Sequence, residues 1–197
     1  MRGEDEYRLS LGMKGRKRVA ALLALSRAID KINKWIGWLA SWAMFLACLI
    51  SALNALSRYT ISRSSNFWLE IQWYFFGAMF MLGAAYVLAR NEHVRVDLLY
   101  GMLSHRKRLW VDILGTVLFL IPACLVLGYL TFEMFWNSFI TDEQSTNAAG
   151  LAVWPALLMF PLGFALLFVQ AVSELIKRVE ALRGDIDVDT SYEKPVQ

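Results

Sequence analysis

The apolar residues of the chain fall into four blocks that are separated by short polar segments. The blocks occupy residues 35–56, 67–88, 109–131 and 151–172. Each block is long enough for a helix across the hydrocarbon core of a membrane, which needs about 20 apolar residues. The pattern therefore predicts an all-α integral membrane protein whose four transmembrane helices form a domain over residues 35–176.

The segments at the two ends of the chain differ from this domain. In the basic segment 1–34, Leu22, Leu25, Ile29 and Ile32 lie along one side of a helix that covers Val19–Ile32. This stripe predicts an amphipathic interfacial helix on the membrane surface. The alternative is a helix that packs on the cytoplasmic loops of a partner. Residues 177–197 are predicted to form a C-terminal tail.

The distribution of Lys and Arg predicts the orientation of the helices. Nine of these residues precede the first block, and the loops that follow the first three blocks contain two, five and none. Four more follow the last block. Loops rich in Lys and Arg stay in the cytoplasm, so both termini and the second loop are predicted to be cytoplasmic.

Composition excludes several classes of protein. Of the 197 residues, 57% are hydrophobic, against roughly 45–50% apolar in soluble domains. The net charge of +3 arises from basic residues next to the spans, where anionic lipid headgroups rather than nucleic acid explain them. Cys48 and Cys124 lie inside spans and have no metal-ligand spacing, and His93 and His105 share one loop. We predict no enzyme activity and no catalytic, cofactor or metal site.

Two features of the spans concern the packing of the helices. Ala43, Ala47, Ser51 and Ala55 recur every four residues in the first span. Small side chains at this spacing allow another helix to approach closely. Pro122 and Pro161 lie inside the third and fourth spans, where each removes a hydrogen bond and is expected to kink its helix.

Glu70 and Asp112 are ionisable residues within or close to the spans. Glu70 stands in an aromatic stretch that includes Trp73, and Arg58 and Arg63 are its candidate partners. It is interpreted as an anchor between helices or subunits, as a residue of the membrane interface, or as a group that couples transport to ions or protons. Asp112 has Arg108 four residues earlier on the same helix face, which favours a structural ion pair.

The centres of the four spans lack polar side chains. They read Phe45–Leu46, Gly77–Ala78, Phe119–Leu120 and Met159–Pro161. Secondary transporters usually place their substrate and ion sites near this depth. The chain by itself therefore offers no side chains for a transport site there.

A motif runs from the end of the second span into the following loop and reads GAAYVLARNEHVRVD from Gly83 to Asp97. It closely resembles the signature of the small membrane subunit of tripartite ATP-independent periplasmic (TRAP) transporters, the DctQ-like family. That signature contains a glutamate early in span two, a Gly-Ala-rich helix end, an arginine and a His-x-x-Val-Asp element. These features fall on Glu70, Gly83, Arg90, His93, Val96 and Asp97.

The fourth span resembles one branch of the same family, which tends to serve organic acids. There, Gly-Leu-x-x-Trp-Pro begins the helix and Pro-Leu-Gly-Phe continues it. The matching residues are Gly150, Leu151, Trp154, Pro155, Pro161, Leu162, Gly163 and Phe164. Structural or subunit-interaction roles are predicted for the signature residues above and for Trp73, Trp154, Pro155, Pro161 and Gly163.

The resemblance implies a small permease subunit in the bacterial inner membrane. Its expected role is to scaffold a large multi-span permease that carries the sodium and substrate sites. A periplasmic solute-binding protein would deliver an organic acid, and the acidic loop 137–150 is a candidate docking site for it. The alternatives are a stand-alone proton-coupled carrier that uses Glu70, and a membrane anchor for a redox complex.

Overall fold

Four long helices make up the computed structural model, which describes residues 2–62, 65–91, 103–147 and 150–184, with side chains from Val19 onward. The helices are α1 (Arg2–Thr60), α2 (Asn66–Ala89), α3 (His105–Ile140) and α4 (Trp154–Arg183). Each is long and apolar enough to cross a membrane. No strand occurs among the described residues, whose one β-bridge joins Gln144 to Ala152. The predicted all-α membrane fold is confirmed.

α1 is longer than the sequence predicts, because the amphipathic segment and the first span form a single helix. The helix over Val19–Ile32 is confirmed, but it is not separated from the span at Lys34. No proline interrupts residues 2–60. The 42 residues of Val19–Thr60 extend for about 63 Å at 1.5 Å per residue, twice the membrane core of about 30 Å.

α3 contains a widened turn next to the first predicted kink. The five residues Thr116–Leu120 adopt π-helical geometry, and Pro122 follows them at the start of the regular segment Ile121–Ile140. Proline has no backbone N–H and its ring crowds the carbonyl four residues earlier, so a wider turn relieves the conflict. Pro161, by contrast, lies inside α4, which remains one helix.

α4 contacts each of the other three helices, whereas α3 packs mainly on α4. Two glycines allow the closest approaches between helices. A Cβ atom on Gly163 of α4 would lie 2.7 Å from the backbone oxygen of Met81 in α2, and one on Gly37 of α1 would lie 2.5 Å from Cγ of Tyr86. Gly83 sits in a looser contact with α1, because a Cβ atom on it would lie 3.9 Å from the Cβ of Ala40.

The buried face of α1 differs from the predicted stripe of small residues. Ala47 is fully buried, but Ser51 and Ala55 are exposed. The face that packs on α2 and α4 instead follows a seven-residue repeat. The repeat is formed by the buried residues Ser26, Asn33, Ala40 and Ala47, and Gly37 is buried between two of them.

The end of the molecule at which α1 begins and α4 ends is called the terminal end. The opposite end, which carries the α1–α2 and α3–α4 connections, is called the loop end.

Candidate functional site

The largest polar cluster joins α1 to α4 near the terminal end. Asp30 on α1 accepts hydrogen bonds from Gln170 Nε2 at 2.8 Å and from Ser173 Oγ at 3.2 Å. It also forms an ion pair with Lys177 at 3.1 Å. One turn further along α1, Asn33 Nδ2 donates to Gln170 Oε1 at 2.7 Å. These contacts hold α1 and α4 together through polar bonds where an ordinary helix pair would use apolar side chains.

The same cluster reaches α3 through Arg178, which is 5% exposed. Its Nε donates to Asp112 Oδ2 of α3 at 3.1 Å, and its Nη1 bonds the carboxylate of Glu174, one turn earlier on α4. Lys177 bonds the other oxygen of Glu174. We call the set Ser26, Asp30, Asn33, Asp112, Gln170, Ser173, Glu174, Lys177 and Arg178 the polar lock.

The polar lock is interpreted as structural, because each of its charged side chains has an oppositely charged partner on its own or a neighbouring helix. Taking one partner from a buried pair of this kind leaves an uncompensated charge and costs about 3–5 kcal/mol. Hydrogen bonds between neutral groups, such as the 2.7 Å contact of Ser26 Oγ with Ser173 Oγ, add smaller increments. Among the described residues, no group of three His, Cys, Asp or Glu side chains is placed to hold a metal ion.

Sequence reasoning missed the lock apart from Asp112, for which it named Arg108 as partner. The structure gives Asp112 a partner on α4, Arg178, and the pair with Arg108 stays a prediction. The sequence does indicate a polar face on the fourth helix, through the positions of Gln170, Ser173, Glu174, Lys177 and Arg178. This spacing of three and four residues marks one helix face.

Glu70 lies inside the helix packing of this chain. It is 5% exposed, and its Oε2 is buried without a hydrogen-bond partner among the described residues. Arg58, one of its candidate partners, is exposed, and Arg63 lies outside the described residues. Its burial fits an anchor between helices of the chain better than a contact that a partner subunit reaches directly.

One turn after Glu70, Tyr74 ties α2 to the chain just before α4. Its hydroxyl donates to the backbone oxygen of Ala152 at 2.7 Å. The segment between α3 and α4 is itself ordered by paired backbone bonds, from Ser145 N to Leu151 O at 2.8 Å and from Val153 N to Glu143 O at 3.0 Å. Residues 137–140 of the predicted docking loop belong to α3, and the described residues after Ile140 are tied to the chain before α4 by these bonds.

The fourth-span motif shapes the start of α4. Trp154 is the first residue of the helix and sets its ring edge-on against Phe139 of α3, with ring centroids 5.4 Å apart. Pro155 lies in the first turn, where its missing N–H has little cost. Gly163 and Met81 make the close α2 contact described above. These motif residues therefore lie in contacts within the chain.

The second-span motif is described only in part. Arg90 follows the last residue of α2, and its guanidinium carbon lies 5.5 Å from the ring centroid of Tyr86, which packs on Gly37. Trp73 is 73% exposed and faces away from the other helices. The remaining members, His93, Val96 and Asp97, lie outside the described residues.

Comparison with known proteins gives one match. The profile of the family described as tripartite ATP-independent periplasmic transporters, DctQ component, matches residues 47–181, more than half of the chain. No curated protein and no solved structure matches it. The matched range contains α2, α3 and all members of the polar lock on α3 and α4. On this match the chain belongs to the DctQ family of transporter components.

Proposed function

We propose that this protein is the small permease subunit of a TRAP transporter and that it scaffolds the large permease subunit. The observation that carries the proposal is the polar lock. It joins α3 to α4 through the pair of Asp112 with buried Arg178, and α1 to α4 through a partly exposed pair of Asp30 with Lys177 and the buried bond of Asn33 to Gln170. Charged groups that are buried among helices tolerate little displacement, because a movement would separate each charge from its partner while it stays buried. A set of helices held in this way suits a static support.

The centres of the helices support a division of labour between two subunits. In this region α1 offers Phe45, α3 offers Phe119 and α4 offers Met159. None of these side chains coordinates an ion or binds a carboxylate. Sodium and the organic acid are accordingly assigned to the large multi-span subunit, and the present chain is not assigned an enzymatic step.

The proposed orientation puts the terminal end in the cytoplasm of a bacterial cell and the loop end in the periplasm. The distribution of Lys and Arg supports it, since the α3–α4 connection contains none. That connection, ordered by the Tyr74 bond to Ala152, is then placed to meet a periplasmic solute-binding protein. Membrane lipid covers the apolar surfaces that no protein contacts.

Two experiments test the proposal together. A tagged chain is purified from native membranes in mild detergent, and the proteins that co-purify are identified by mass spectrometry. The recovered complex is then placed in liposomes, and uptake of organic acids is measured with and without a sodium gradient and the binding protein. We expect a large permease to co-purify. Uptake should require the complex, the sodium gradient and the binding protein together.

The contrary results are equally specific. Uptake by the purified chain alone, abolished by Glu70→Gln, would indicate a stand-alone proton-coupled carrier. A haem absorbance band in the purified sample would indicate the anchor of a redox complex. Either result would refute the assignment as a small permease subunit.

A further inference from the structure

The chain just before α4 crosses the face of α2 that carries Glu70. Tyr74, one turn after Glu70 on this face, donates its hydroxyl hydrogen to Ala152 O at 2.7 Å. We call the residues 150–153, which contain this acceptor and end where α4 begins, the strap. A long side chain on a helix leans toward the N-terminus of that helix, so the bond brings the strap to the level of Glu70.

The register between α2 and α4 gives the same depth. Both helices begin at the loop end, and Met81 of α2 packs on Gly163 of α4. Counting the same eleven positions back along each chain, from 81 to 70 and from 163 to 152, leads to Glu70 and to Ala152. Glu70, Met81 and Ala85 are the buried residues of α2, and this spacing returns to one side of the helix. The strap therefore lies beside Glu70 on the side that faces α4.

One oxygen of Glu70 has lost contact with water without gaining a hydrogen bond. Glu70 is 5% exposed, and its Oε2 is buried with no partner among the described residues. Arg58, the candidate cation within the described part of the chain, is exposed. A polar atom that is buried without a hydrogen bond raises the free energy of the state that buries it. Covering Glu70 therefore works against the closed position of the strap.

The contacts that hold the strap in place are neutral hydrogen bonds. Besides the bond from Tyr74, Leu151 O accepts from Ser145 N at 2.8 Å and Val153 N donates to Glu143 O at 3.0 Å. Each bond of this kind contributes modestly to stability, because water replaces it when it breaks. The equilibrium between a closed and an open strap is therefore sensitive to the burial of a single carboxyl oxygen.

On these grounds we propose that the strap opens and closes over Glu70, and that Glu70 and Tyr74 act on it in opposite directions. The hydroxyl of Tyr74 holds the strap closed. The carboxyl group of Glu70 favours the open form, in which water reaches Oε2. The helices stay in place, because the bonds that break all involve the strap. The proposal goes beyond the proposed function and concerns the connection that is assigned there to the binding protein.

Hydrogen exchange in the full-length chain, held in lipid nanodiscs, measures the opening. The reporters are the amides of Ser145 and Val153, whose bonds the strap breaks when it opens, under conditions in which exchange follows the opening equilibrium. Glu70→Leu removes the carboxyl group and leaves an apolar side chain in the packing. We expect exchange at both amides to slow by at least about fivefold and the unfolding temperature to stay level or rise.

Glu133→Leu is the matched control, because it makes the same chemical change at an exposed position. Glu133 lies on α3 and is exposed, so its replacement relieves no buried group. We expect exchange at Ser145 and Val153 to remain as in the unsubstituted chain. Equal slowing in the two variants would show that added apolar surface, rather than the release of a buried carboxyl group, closes the strap, and would overturn the proposal.

A combined variant, Glu70→Leu with Tyr74→Phe, separates direct from indirect action. The two changes should offset each other, so that exchange lies between the values of the single variants. If the combined variant exchanges as fast as Tyr74→Phe alone, Glu70 acts through Tyr74 and the proposal fails.

Two other results for Glu70→Leu would overturn the proposal. Faster exchange or a lower unfolding temperature would show that Glu70 stabilises the closed form as an anchor. Unchanged exchange would show that the strap does not cover Glu70. None of these measurements requires a permease to co-purify, so the proposal and the proposed function fail separately.

Discussion

The two ends of the molecule hold their helices together by different chemistry. At the terminal end, three helices meet through charges and amides that are nearly all paired, as in the contact of Arg178 with Asp112. At the loop end, aromatic contacts such as that between Phe139 and Trp154 stand beside neutral hydrogen bonds such as that from Tyr74 to Ala152. Ion pairs specify one arrangement of the helices, whereas aromatic packing accepts small shifts. The comparison predicts that the terminal end is the rigid end.

The largest effect is expected from Arg178→Ala in the polar lock. It removes the cation that Glu174 and Asp112 share. Glu174 keeps Lys177, so the loss should lie toward the lower end of the about 3–5 kcal/mol expected for breaking a buried ion pair. Thermal unfolding of the purified protein in detergent measures the loss. Arg27→Ala is the control, because that side chain is exposed and its Nε donates to the backbone oxygen of Leu23; an equal loss in both variants would refute the special role of Arg178.

A smaller loss is expected from Gly163→Ala, which tests the contact of α4 with α2. The added methyl group would meet the backbone oxygen of Met81 at 2.7 Å, so the helices must separate, at a cost of about 1–3 kcal/mol. Gly77→Ala is the matched control, since nothing lies within 4 Å of its added carbon. The unfolding temperature should fall for Gly163→Ala and stay level or rise for Gly77→Ala. The opposite order would contradict the observed packing.

The bond between Asn33 and Gln170 should contribute about 1 kcal/mol, within the range measured for hydrogen bonds between membrane helices. A double-mutant cycle with Asn33→Ala and Gln170→Ala isolates this coupling from other effects of each substitution. Additive losses in unfolding free energy would show that the 2.7 Å contact carries no stability of its own.

The smallest and most local effect is expected at the loop end. Tyr74→Phe removes the bond to Ala152 and should cost about 0.5–1.5 kcal/mol. Hydrogen exchange should rise over residues 143–153 and remain unchanged at Asp30 and Lys177. Tyr129→Phe serves as the control because Tyr129 is 69% exposed. A rise in exchange that spreads to the terminal end would show that the two ends are not independent.

The sequence predicts the spans better than it predicts their partners. Hydropathy predicts the second span at 67–88 and the helix covers Asn66–Ala89, because hydropathy depends only on local composition. The fourth helix continues to Arg183, beyond the predicted limit at 172. Its last turns bury Arg178 and Glu174 against Asp112, and a hydropathy profile registers such residues as polar whether or not they are paired.

The polar lock lay beyond sequence reasoning for a related reason. Asp30 and Lys177 are separated by 147 positions in the chain, and no local pattern reveals that their helices are neighbours. The sequence shows which residues match the family motifs, but it does not show what their side chains contact. Gly163 and Trp154 were identified by order alone, and only the structure places them in contacts within the chain. The roles of His93, Val96 and Asp97 remain predictions.

The unbroken course of α1 has a mechanical consequence. Because Val19 and Thr60 belong to one helix with no proline between them, the helix acts as a rigid rod. Any change in its tilt within the membrane must sweep its outer portion sideways, and the displacement grows with distance from the pivot. Since Ser26 and Asp30 on this portion bond Ser173 and Lys177 of α4, the displacement has to carry α4 along with α1, so that the two helices tilt as one body. A fluorescent probe at Arg27 would read out motions that occur deep in the bilayer.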